Sequence, residues 1–124
     1  MMFTIVDNSI PLQPGVMAYN MWASGNVYKG QAVTLCPGMD NHVMATSDSS
    51  QKVFGIAGYS QYHNSSIAIY GKLNILRAKL SGSQSAGTLV GAYDNGMFHN
   101  SSKYKDAMVT KGTTSTGDGE IMLY

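Results

Sequence analysis

An all-β fold follows from three features of this 124-residue sequence. Fourteen Gly, with many Ser and Thr, divide the chain into short apolar runs separated by turn residues. The runs "SIAIY" and "EIMLY" alternate, so that Ile67 and Ile69, and Ile121 and Leu123, fall on one face of each, the period of a half-buried strand. The chain also repeats itself. "GQAVTLCPGMDNH" from Gly30 and "GTLVGAYDNGMFH" from Gly87 carry Gly, Val, a Gly-Met pair and His in the same order. Two pseudo-repeated units, about residues 27–72 and 84–124, are predicted within one domain of residues 16–124, behind an extended N-terminal arm of residues 1–15. Each unit alone is too small to cover a sheet face, and packed together each covers the other.

Taken in order, the arm comes first. Pro11 and Pro14 remove backbone donors and favour an extended strap over a ladder strand, while Phe3, Ile5, Val6, Ile10 and Leu12 are costly to leave in water. "GVMAYNMWAS", from Gly15 to Ser24, is apolar and aromatic without a clean period. "KLNILRAKL" places Leu73, Leu76 and Leu80 at helical spacing. It is too short for an independent helix and is bounded by Gly71 and Gly82, so it reads as a strand with a bulge near Leu76. "SGSQSAG", from Ser81, reads as a flexible turn. The closing segments align with Gly58 on Gly112, Ile67 on Ile121, Ile69 on Leu123 and Tyr70 on Tyr124, and "VFGIA" lies upstream of the first as "DAMVT" does of the second. The alternating faces are expected to meet in the core, with the last strand tied into a sheet at Tyr124.

Composition narrows the functions. The mass of 13.3 kDa suits a single domain, and Leu, Ile, Val and Phe make up only about a fifth of the chain, near the lower limit for a self-sufficient core. Nine Met and eight Tyr suit surfaces buried against something else, which leaves room for an oligomer. A formal charge of +1, without a run of Lys or Arg, argues against nucleic acid as a ligand. Cys36 is the only cysteine, so no intrachain disulfide forms. The N-terminus lacks a basic n-region and a long apolar run, so synthesis and retention in the cytosol are expected, with no membrane span.

No catalytic constellation emerges. His42, His63 and His99 stand apart from one another, short of the three or four closely spaced ligands that zinc requires. His42 and His99 occupy matched positions of the repeat and are read as exposed turn residues. Cys36 precedes Pro37 without a neighbouring cation to activate it. No serine stands in a Gly-x-Ser-x-Gly elbow, no carboxylates pair, and no Gly-rich phosphate loop opens a helix. The expectation is no enzyme activity, no metal and no cofactor. The Asn64-Ser65-Ser66 and Asn100-Ser101-Ser102 triplets are read as solvent-facing loops.

Across roughly residues 25–124, the segments "KGQAVTL" (Lys29 to Leu35), "KVFGIAG" (Lys52 to Gly58), "SIAIYGKL" (Ser66 to Leu73), "SAGTLVGAYDNG" (Ser85 to Gly96) and "GDGEIMLY" (Gly117 to Tyr124) resemble the small capsid decoration, or cement, proteins of tailed bacteriophages. That resemblance implies a compact β-barrel or tulip-like sandwich on the outer surface of a virus head. It implies a protein that bridges major capsid subunits, stiffens the shell, and commonly forms a homotrimer. The N-terminal segment through Trp22 is longer and richer in Met and aromatics than the simplest family pattern. Phe3, Ile5, Ile10, Leu12, Met17, Tyr19, Met21 and Trp22 are therefore the expected capsid or oligomer contacts, large aromatics being the usual anchors of interfaces. Two other readings compete: a carbohydrate- or receptor-binding module using Tyr59, Tyr62 and Tyr93, and a structural component of a phage tail.

Overall fold

The computed structural model describes residues 5–6, 18–72 and 74–124. The described residues form eleven strands: β1 (Ile5–Val6), β2 (Ala18–Ala23), β3 (Ala32–Leu35), β4 (His42–Ala45), β5 (Gly55–Ala57), β6 (Ser66–Tyr70), β7 (Ile75–Leu80), β8 (Leu89–Ala92), β9 (Phe98–His99), β10 (Ala107–Lys111) and β11 (Gly117–Leu123), with a 3-10 turn at Asp94–Gly96. The fold is all-β, and its strands close into two rings. The first runs β2-β4-β3-β5-β6, with β6 returning antiparallel to β2. The second runs β7-β11-β10-β8-β9 and closes where Leu80 of β7 meets Phe98 of β9 in parallel. β1 adds a short parallel pairing to β7, Ile5 opposite Ile75 and Val6 opposite Leu76. Closure shelters strand edges that would otherwise template wrong pairings.

The two rings are the same structure written twice. In each, the first strand pairs in parallel with the third and antiparallel with the fifth. Val27 bridges Gln61 just as Gln84 bridges Thr113. The amide of Gly30 donates to Ala57 as that of Gly87 donates to Val109. The repeat thus begins earlier than residues 27 and 84, because β2 and β7 are its opening strands.

Pairing register also revises the sequence alignment. Ala57 opposes Ile69 as Val109 opposes Ile121, so Ile69 corresponds to Ile121, and Tyr70 to Met122. The identical letters suggested a match displaced by two residues. With a side-chain period of two, such a slip leaves every face unchanged and cannot be detected from alternation. Likewise Leu35 opposes Val43 as Ala92 opposes Phe98, which aligns Met44, not His42, with His99. The irregularity expected near Leu76 lies elsewhere. β7 pairs with β11 continuously from Ile75 to Leu80, and the register shift falls between Val109 and Lys111 of β10.

Each ring encloses its own core. Ala23, Val27, Val33, Val43, Ala57, Ile67 and Ile69 fill the first, with Met21 and Phe54 packed against it. Leu76, Ala78, Leu80, Val90, Phe98, Ala107, Val109, Ile121 and Leu123 fill the second. Ile67 and Ile69 therefore do not meet Ile121 and Leu123 in a common core, as the sequence reading expected; units of this length suffice to close a barrel each. The two cores distribute volume differently. Met21, Ala23 and Ile67 of the first correspond in register to Ala78, Leu80 and Gly119 of the second. A Cβ at Gly119 would lie 2.5 Å from Leu80 Cδ1 and 2.5 Å from the Lys111 carbonyl, so the larger Leu80 occupies the space that Ile67 fills in its own barrel.

Candidate interaction site

Strands β3, β5 and β6 are apolar on both faces, the pattern of strands covered on both sides. Val33, Ala57, Ile67 and Ile69 point into the first barrel. The alternate residues form an outward row, Ala32 opposite Ile56 and Ile56 opposite Tyr70. Ala32, Ile56 and Tyr70 are 0% exposed and belong to the core cluster of the second barrel. That row is the apolar junction between the barrels.

Polar bonds stitch the junction's rim. The second barrel presents the end where β8 finishes, including the Asp94–Gly96 turn and the 102–106 segment. Gly96 donates to the Thr46 carbonyl at 2.8 Å, Lys103 to Ser49 at 2.8 Å, and Lys79 to Gly30 at 3.3 Å, all through backbone amides. The Val53 amide donates to Asp106 Oδ2 at 3.0 Å. Buried Gln31 joins the two sides, accepting the Tyr28 amide at 2.8 Å and donating from Nε2 to the Asn95 carbonyl at 3.1 Å.

The second barrel carries the same outward row. Leu89 opposes Met108, Met108 opposes Met122, and Met122 opposes Ile75. Here Leu89 is 41% and Met108 37% exposed, and Met122 and Ile75 are half-buried. A charged band borders it, with Arg77 opposite Glu120 and Lys79 opposite Asp118. The Lys79–Asp118 ion pair, at 3.3 Å, is too exposed to contribute much stability and serves as a polar rim.

A second apolar surface lies on the first barrel where β3 finishes. Leu35, half exposed, lines a groove of about 360 Å³ with Thr34, Lys52, Val53 and Phe54. The neighbouring turn exposes Met39, whose Sδ lies 3.5 Å from Cys36 Sγ. By register this is the counterpart of the end with which the second barrel covers the first, since Leu35 corresponds to Ala92.

Among the residues expected to make contacts, Phe3, Ile10, Leu12 and Met17 lie outside the described residues. Ile5 is placed only by its backbone pairing with Ile75, and Tyr19 by its pairing with Ile69. Met21 packs against the first core, whereas Trp22 is 48% exposed. Sequence reasoning missed Leu35, Met39, Leu89, Met108, Met122 and Ile75. For Met108 and Met122 the signal was present in the uninterrupted apolar stretches "AMV" and "IML", which mark strands apolar on both faces.

The three histidines lie apart, and His42 and His99 are not the exposed turn residues expected: they are half-buried, His42 opening β4 and His99 closing β9. His42 Nδ1 donates to the Asp40 carbonyl at 2.8 Å, His63 Nδ1 accepts the Gly25 amide at 2.8 Å, and His99 Nδ1 accepts the Ser101 amide at 3.0 Å. Among the described residues, no group of three or more His, Cys, Asp or Glu is placed to hold a metal ion. Asn64 and Asn100 are exposed as expected, but Ser102 is buried and donates to the Tyr104 carbonyl at 2.9 Å. Gln84 is also buried, so "SGSQSAG" is anchored at its centre by the pairing with Thr113.

No protein-family model matches the sequence, and no curated protein matches it. The fold, however, is similar to a solved structure. It matches the crystal structure of the head fiber gp8.5 N base of bacteriophage phi29 with a TM-score of 0.71, covering 88% of this chain and 94% of that one, at 8% sequence identity. The two share an architecture along nearly their whole lengths.

Proposed function

We propose that this chain is a non-enzymatic structural component of a bacteriophage virion, seated on the outer surface of the head, where it bridges major capsid subunits and stabilises the shell as a decoration or cement protein. The observation that carries the reading is the fold likeness to a phage head-fiber base, which extends over 94% of that chain. The surface chemistry supports it. A nearly neutral, stiff β body with apolar exposed rows suits adhesion through shape and apolar contact, and repeated copies on a lattice gain from multivalency. On this reading the protein is made in the host cytoplasm, joins the assembled head as a homotrimer, and requires no nucleic acid, membrane or cofactor.

A second reading, favoured by the same likeness, is that the chain forms the base of a head fibre and carries a further protein outward. The carbohydrate-binding alternative has less support: Tyr93 stacks on His99 in the second barrel at 4.5 Å, while Tyr59 donates to the Ser66 carbonyl in the first, so the three tyrosines are divided between barrels. Sedimentation of purified protein with mature heads and with isolated tails tests the proposal. Saturable pelleting with heads alone supports it, and protein left in the supernatant with heads refutes it.

A further inference from the structure

We infer that copies of this chain associate head to tail, the β3 end of the first barrel in one copy docking on the Leu89–Met108–Met122–Ile75 row of the second barrel in the next. The chain already contains one such contact. Its first barrel offers the row Ala32, Ile56 and Tyr70, and its second barrel covers that row completely with the end where β8 finishes. Because the units are equivalent in strand order and register, each carries both halves of the contact. Joining two units uses one row and one end, and leaves the other row and the other end, whose groove has Val53 already engaged at the internal junction.

Both remaining halves are apolar where an ordinary surface would be polar. The second barrel's row carries Leu89, Met108, Met122 and Ile75, with Leu89 and Met108 well exposed. The first barrel's end exposes Leu35 and Met39 beside its groove. A two-fold arrangement of barrels would have buried both rows against each other; here one is sealed and its equivalent is open, so the contact is heterologous. Contacts of that kind propagate from copy to copy, closing into a ring when the rotation allows. The occupant implied is a second copy, whose first barrel supplies the matching end. The side-chain bonds of the internal junction are not reproduced, since Gln31 and Asp106 correspond in register to Thr88 and Phe54. Lys79 donates to Gly30 there, but its counterpart Trp22 already donates to Asn41 at 2.8 Å, so the contact between copies rests on the apolar row and groove.

The inference deepens the homotrimer of the capsid reading by naming how copies meet, and its test needs no capsid, so self-association and head binding can fail separately. Met108→Glu spoils the row and leaves the groove; Leu35→Glu does the reverse. Both sites are exposed, and circular dichroism melts establish that each variant folds. In sedimentation velocity over a concentration series, the unaltered chain is expected to self-associate, and each variant alone to do so at least about tenfold more weakly. Mixed, the two variants should form heterodimers, because the intact groove of M108E fits the intact row of L35E. A monomeric unaltered chain overturns the inference, as does a mixture no more associated than its parts. Loss of capsid binding by M108E with a monomeric parent would assign the row to the capsid and equally overturn it.

Discussion

Tyr70 and Met122 occupy the same position in their respective barrels, yet Tyr70 is wholly buried and Met122 lies half-buried in an open row. Tyr70→Ala should therefore cost about 3–5 kcal/mol, the usual range for emptying a large buried aromatic site. Met122→Ala should cost under about 1 kcal/mol in the monomer. Urea titrations of both variants measure the difference, and comparable losses would contradict the assigned junction.

Gln31→Glu tests the polar seam. The carboxylate still accepts the Tyr28 amide but turns an acceptor toward the Asn95 carbonyl, where Nε2 had donated. A loss of about 1–3 kcal/mol is expected at neutral pH. The deficit should shrink as pH falls, because a protonated carboxyl regains a donor. A pH-independent deficit would show that the contact with Asn95 is not what the substitution disturbs.

Asp48 gives the molecule an acid-sensitive turn. The hydroxyl of Ser50, at 2.5 Å, and its amide, at 2.8 Å, both donate to Asp48 Oδ1 and hold its carboxyl below the ordinary value of 3.8. A depressed carboxylate contributes stability above its unfolded pKa and loses it as pH falls through the folded one, so this turn weakens only in strong acid. Ser50→Ala should raise the Asp48 titration midpoint toward 3.8, as read by NMR. An unchanged midpoint would rule out the hydroxyl as the cause. The adjoining Ser49 carbonyl receives the Lys103 amide, so the turn also borders the junction.

Deleting residues 1–14 should leave both barrels folded while weakening binding to phage heads or self-association. Ile5–Val6 pairs only at the outer edge of β7, outside either ring closure. Sedimentation with heads and thermal melting separate the two effects. Unaltered binding and association would remove the arm from the interface.

Much of the fold was legible because glycine-rich turns punctuate the strands and the inward alternation of Ile67 and Ile69 follows the pleat. Ring closure was not, since the parallel pairs between β2 and β4 and between β7 and β9 leave no trace in either strand's composition. The repeat was visible through Gly30 and Gly87, but its exact register depended on backbone partners, which is why the two histidines looked equivalent. The exposed row was hidden for a different reason. Ile56 and Met108 are both apolar on the outward face, and only the presence of a second barrel beside one of them distinguishes a filled contact from an open one.

The unequal sharing of volume between Ala23 with Ile67 and Leu80 with Gly119 acts during folding as well as in the finished molecule. Two near-identical halves on one chain risk exchanging strands as they form. If the closing strand of the second half entered the first, Gly119 would leave a void beside Ala23. In the opposite exchange, Ile67 would collide with Leu80. Each half is thereby better filled by its own closing strand than by the other's.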